Sequence, residues 1–252
     1  MNNSCVILFT KAPIPSFVKT RLFDKSSLNI DQVTKLYEAF LMDVVETTDR
    51  YVTKNNCDFV ISYTPKKGLN KIKELINRLE KPIDVSHFEL QEGDTFDQRM
   101  NSTFSKAFDA GYQMCVMIGG DIPTLRYEHL KSAFELLRDQ KCLDEKVMVI
   151  GPGIDGGVYL IGLRKDTDFN FTGVFQKNGE LDISLSEITN RSRLRSIKLL
   201  KTDIHYDVDV PKDMKKLKEE LSKNPELAPH TRNKLRIQST MNSLNLKKTS
   251  SK

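Results

Sequence analysis

Short apolar runs alternate with helical stripes along most of this chain, and that alternation limits what it can fold into. Residues 5–10 (CVILFT) read as a buried strand. Val33, Leu36, Tyr37, Phe40, Leu41, Val44 and Val45 then recur at i, i+3, i+4 spacing, the stripe of a helix that faces a core, with Asp31 as its expected N-cap. The pattern repeats with a strand at 58–63, a helix at 69–79 and a weakly alternating strand at 85–90. A helix opened by Asp94 and stopped at Gly111 leads to a strand at 113–119 and a helix at 127–140. Strands at 147–151 and 158–163 flank a glycine-rich turn. A helix at 181–193, a strand at 196–201 and a helix at 210–222 follow, the last with Asp209 at its start and Pro211 in its first turn. Such alternation over 252 residues argues for an α/β sheet covered on both faces, with no repeat or long linker dividing it.

Composition narrows the setting. Cys5, Cys57, Cys115 and Cys142 form no CxxC pair and no Cys/His cluster, so they read as free thiols in a reducing compartment. The apolar run at 5–9 is too short for a signal-peptide core, and no stretch approaches a membrane span. The expectation is a soluble cytoplasmic protein. The formal net charge is +5, and residues 224–252 account for all of it, with six Lys or Arg against Glu226 alone. A neutral body argues against nucleic acid as a partner, and nothing points to a membrane partner. Residues 1–238 read as one domain and 239–252 as a solvated, disordered basic tail.

Four runs carry the chemistry. KAPIPSFVKTRL brings Lys11, Lys19 and Arg21 just past the first strand. It has none of the glycines of a P-loop, and its prolines stiffen it, so side chains rather than backbone amides would surround phosphate oxygens. Lys11 and Arg21 are expected to face the cleft, with Lys19 at its edge. GGDIPTL places Asp121 after a strand, with Gly119 and Gly120 giving a ligand close approach to the backbone. DVDVPKDM supplies Asp209, with Asp207 read as a turn residue. Carboxylates at strand ends suit Mg²⁺ or Mn²⁺, which bind one or two carboxylates together with phosphate oxygens. In GPGIDGGVYLIGL, four glycines suggest positive φ angles around Asp155, open to a small acceptor. His87, His129, His205 and His230 are scattered and read as structural.

The order of these runs, with GDTFDQRM between the first two and APHTRNKL near the end, resembles the glycosyltransferase-A-like selenodomain-associated transferases. More distantly the chain is similar to 2-phospho-L-lactate guanylyltransferase and the molybdenum-cofactor nucleotidyltransferases. The resemblance implies the nucleotide-diphospho-sugar transferase fold, a three-layer α/β/α sandwich on a mixed, mostly parallel sheet. It implies that Lys11, Lys19, Arg21 and Arg99 bind nucleotide and that Asp121 and Asp209 bind the metal. It places Lys11, Arg21 and Asp121 at the chemistry, and Asp155, Gly156 and Gly157 at the acceptor. Three departures stand out: Gln98 replaces an acid, Gly120 replaces a small polar residue, and VFQKNGELDISL stands where the family has a Trp-Ser-Thr segment. The expected partners are a nucleotide donor and a small-molecule acceptor. One acid after the central strand and a second much later favour nucleotidyl transfer over the D-x-D pattern of glycosyl transfer. Glycosyl transfer from a nucleotide sugar remains open, as does nucleotide binding without turnover.

Overall fold

In the computed structural model, which describes residues 2–139, 144–175, 177–178 and 181–236, one seven-stranded sheet organises the chain. Its strands are β1 (Ser4–Lys11), β2 (Asp58–Thr64), β3 (His87–Leu90), β4 (Met114–Gly119), β5 (Val147–Pro152), β6 (Val158–Arg164) and, at one edge, Lys198–Lys201. A two-residue pair, β7 (Lys177–Asn178) and β8 (Leu181–Asp182), stands apart and makes the edge strand β9. The spatial order is β3-β2-β1-β4-β6-β5-β9. All neighbours are parallel except β6, which runs antiparallel to β4 and β5. This is the mixed, mostly parallel sheet of the nucleotide-diphospho-sugar transferase fold.

Helices cover both faces because the strands are apolar on both. In β1, Val6 and Leu8 join one core and Cys5 and Ile7 the other. The first core is closed by α2 (Ile30–Asn55), α3 (Leu69–Ile76), α5 (Tyr127–Leu137) and α7 (Pro211–Lys223); a short α1 (Thr20–Asp24) precedes them. The second is closed by α4 (Phe96–Asp109) and α6 (Ser184–Leu194). Cys5, Cys57 and Cys115 are buried and unbridged, whereas Cys142 and the tail at 239–252 lie outside the described residues.

Several element boundaries differ from the sequence reading, mostly for reasons of capping. Asn29, not Asp31, caps α2, through a reciprocal pair of bonds with Gln32. Thr95, not Asp94, caps α4 in the same way with Gln98. Asp213 accepts the backbone N–H groups of Asp209 and Val210, so α7 starts at Pro211 and Asp209 is left outside the helix. Leu181 and Asp182 pair in β8, which delays α6 to Ser184, and α3 stops at Ile76.

The chain passes from β1 outward to β2 and β3 and then returns to the other side of β1 with β4. In such sheets the crevice beyond the carboxyl ends of the strands, where the order reverses, is where ligands gather. Here it lies beyond β1 and β4.

Candidate functional site

A cavity of about 520 Å³ opens at that reversal point. The end of β1 reaches it with Phe9, Thr10 and Lys11, the last residue of the strand. The loop after β1 returns with Lys19 in the left-handed region, at φ 50°. That backbone turn drives the Lys19 side chain inward. It is 4% exposed, and its Nζ lies 2.8 Å from Asp121 Oδ2 and 2.6 Å from Asp209 Oδ1. Lys19 is therefore the hub of the site, not a residue at its edge. Arg21 is half exposed, with Nη1 3.5 Å from Asp209 Oδ2.

The carboxylates come from distant segments locked together through the backbone. Val208 donates its N–H to the Asp121 carbonyl at 3.0 Å, laying residues 207–209 beside the end of β4. His205 extends the same segment along the β5–β6 turn, donating to Pro152 and accepting from Ile154. Oxygens of Asp121, Asp207 and Asp209 lie within 4.8 Å of one another. Asp207 is thus more than a turn residue. Its spacing from Asp209 was the available signal, since residues two apart on an extended segment share a side.

Electrostatics follow from this crowding. Burial and the neighbouring Asp121 and Asp209 push the Asp207 carboxyl up to about 8. Burial alone would discharge Lys19, but attraction from Asp121, Asp209 and Asp207 outweighs it and holds the ammonium well above an ordinary lysine. Lys11 is lowered, by burial first and then by Arg99 and Lys19. Tyr37 of α2 lines the same cavity. Its hydroxyl lies 2.7 Å from Thr10 Oγ1, and burial with the Asp121 charge pushes it up to about 12.

Gly120 lines the cavity and is also required by packing: a Cβ there would meet Thr10 Oγ1 at 2.5 Å and Leu41 at 2.6 Å. In the glycine-rich turn only Gly156 has a positive φ, 90°. A Cβ there would strike the Asp182 carbonyl at 2.4 Å. Asp155 lines the cavity, accepts the Gly157 N–H and offers its carbonyl to the N–H of Asp182. Asp182, a further cavity residue that the sequence reading missed, anchors the start of α6 by accepting the Ser184 N–H at 2.8 Å. Arg99 lines the cavity and donates to the carbonyls of Gly93 and Asp94. Gln98 is spent on the α4 cap, a task a glutamate performs equally well. Phe175 lines the cavity; Gln176 lies outside the described residues.

The acids fit a divalent cation. All donors are carboxylate oxygens, the hard ligands that Mg²⁺ and Mn²⁺ take, and a lysine ammonium already sits between two of them.

Residues 47–177, about half of the chain, match the family model described as "uncharacterized protein conserved in bacteria (DUF2064)". The chain belongs to DUF2064. The matched span holds Asp121 and Asp155 but ends before Asp207 and Asp209 and begins after Lys19. This DUF2064 member is also similar to a candidate nucleotide-diphospho-sugar transferase from Desulfovibrio desulfuricans G20, with 29% identity and a TM-score of 0.75 over 95% of this chain and 96% of that one. A cytidylyltransferase from Leptospira borgpetersenii shares the fold at 11% identity and a TM-score of 0.53, over 96% of each chain. 4-Diphosphocytidyl-2C-methyl-D-erythritol synthase from Anaerococcus prevotii shares it at 12% identity and 0.52, over 87% of this chain and 97% of that one. No functionally curated protein matches. Among the described residues no helix is long and apolar enough to cross a membrane.

Proposed function

We propose that this DUF2064 member is a Mg²⁺- or Mn²⁺-dependent nucleotidyltransferase that releases pyrophosphate. The convergence of Asp121, Asp207 and Asp209 on the Lys19 ammonium carries this reading. Asp121 and Asp209 would hold the ion, with Asp207 beside them, and the ion would neutralise charge on the donor phosphates. Lys11, Arg99 and Arg21 border the same cavity and would bind phosphate oxygens through charge-assisted hydrogen bonds. Lys19 would turn from the acids toward the same oxygens. An acceptor oxygen then attacks the α-phosphorus; the bond from that phosphorus to its bridging oxygen breaks, and pyrophosphate leaves with the electron pair. Asp155, with Gly156 and Gly157 shaping its turn, would orient the acceptor and take the proton of a hydroxyl acceptor. A phosphate acceptor brings no proton to dispose of.

The cytidylyltransferase-type neighbours support a nucleotide donor by fold. Glycosyl transfer is the second reading, favoured by the likeness to the D. desulfuricans protein over nearly the whole chain. Product analysis separates the two. Acceptor-dependent pyrophosphate supports nucleotidyl transfer, and acceptor-dependent nucleoside diphosphate from a nucleotide sugar supports the second reading. Tight nucleotide binding with neither product would make this a binding protein.

A further inference from the structure

The cavity has a half that phosphate chemistry does not use. Side chains of β1 alternate between the faces of the sheet, so its end divides the cavity: Thr10 meets Tyr37 of α2, whereas Phe9 packs toward α4. On that side Phe9 and Phe96 meet edge to face, with centroids 5.5 Å apart at 84°, and Phe96 meets Phe175 at 4.9 Å and 73°. Met100 and the register partners Met117 and Ile161 continue this surface. Phe96 remains 43% exposed although it lines a concave wall. Asp155 and Asp182 also line the cavity, and Asp155 lies close enough to the acid cluster to act on Asp207.

We propose that the Phe9–Phe96–Phe175 surface selects the acceptor, a molecule with a flat or branched hydrocarbon body whose hydroxyl or phosphate head reaches past Asp155 to the acids. This rests on the transfer reading of the cavity. The side chains of this surface are aromatic rings, thioethers and methyls, bordered on α4 by Arg99, whose guanidinium donates to the carbonyls of Gly93 and Asp94. A polyhydroxylated sugar or the polar edge of a base would leave donors and acceptors unpartnered there, at a cost that a hydrocarbon body avoids. Edge-to-face rings also offer a preformed aromatic surface with little freedom left to lose on binding.

Titration calorimetry with four probes in MgCl₂ tests this: phenyl phosphate, methyl phosphate, inorganic tripolyphosphate and a nucleoside triphosphate. The wild type is expected to bind phenyl phosphate about tenfold or more tightly than methyl phosphate. Phe96→Ala should erase that difference and leave tripolyphosphate affinity unchanged. Phe175→Leu, which keeps an apolar side chain against the α4–α6 core, should narrow it. Equal affinities for the two esters in the wild type overturn the proposal. So does a Phe96→Ala protein that loses its preference for a nucleoside triphosphate over tripolyphosphate, since the wall then holds the base. Failure to bind tripolyphosphate would instead count against the transfer reading, and a surviving preference for the phenyl ester would still support the apolar wall.

Discussion

Replacing Lys19 by methionine should make the protein a better metal binder before any nucleotide is present. The ammonium makes two short bonds, to Asp121 and to Asp209, and its side chain is 4% exposed. Hydrogen bonds to charged groups contribute about 1.5–3 kcal/mol each. A divalent ion competing for the same oxygens must displace at least one of them. Lys19→Met removes that competition and should tighten Mn²⁺ binding by about ten- to a hundredfold, at 1.4 kcal/mol per factor of ten. Without metal the variant should melt lower than wild type, because the three acids then face one another without their buried partner, leaving Lys11 and Arg21 as the cations beside them. Saturating Mn²⁺ should restore it, since ligand at a hundredfold over its dissociation constant adds about 2.7 kcal/mol. Lys19→Arg, which keeps the charge, should stay near wild type. Titration calorimetry with MnCl₂, beside circular dichroism to verify folding, reads all of this. A folded Lys19→Met protein that binds Mn²⁺ no more tightly than wild type would refute the competition.

Other perturbations have equally definite outcomes. Asp121→Asn should weaken Mn²⁺ binding at least about tenfold with a near-native circular dichroism spectrum, because Lys19 keeps Asp209; undiminished binding would remove Asp121 from the metal site. Arg21→Ala should weaken nucleoside triphosphate binding about tenfold or more by calorimetry, the loss of one charge-assisted bond to phosphate; unchanged affinity would make Arg21 an ordinary surface cation. His205 is buried and held down to about 3, by burial first and then by His129, against about 6.5 in an unfolded chain. The unfolded state therefore binds the extra proton, and the stability tied to neutral His205, complete above pH 6.5, falls as pH drops toward 3. By pH 5 the loss should be about 2 kcal/mol relative to His205→Gln, measured by urea melts of both proteins; parallel pH profiles would contradict this.

The layered architecture was legible because both faces of the five inner strands are apolar and the helical stripes are long. Helix starts were less legible, because the bonds that decide them belong to residues such as Gln32, Gln98 and Asp213, whose side chains reach back across the cap. Asp121 and Asp209 could be singled out by their places after apolar runs. Lys19 was misplaced because its burial depends on a left-handed backbone residue that sequence spacing does not reveal. Asp207 was undervalued because a turn residue and a cluster acid look alike until Val208 is seen bonded to Asp121. Phe175 and Asp182 lay in the departing segment VFQKNGELDISL, but their places in the cavity, like the rest of the aromatic surface, were not legible because their neighbours come from separate elements of the chain.

Lys19 and Asp209 meet across 190 residues of chain. Closing a contact of that span is entropically expensive, and it cannot form until every strand of the sheet has been synthesised. A nascent chain that ends before Asp207 could complete its strands and still lack two of its three acids. The same logic runs in reverse under stress. Residues 203–209 belong to no helix or sheet strand; backbone bonds hold them to the β5–β6 turn and to Asp121, Tyr206 and Val208 reach into the first core, and Lys19 holds Asp209. If that segment loosens first, the site dissolves while most of the two cores persists and only the corner holding Tyr206 and Val208 opens. Metal affinity would then report the integrity of the finished fold earlier than any spectroscopic melt, much as a keystone shows the settling of an arch before its walls do.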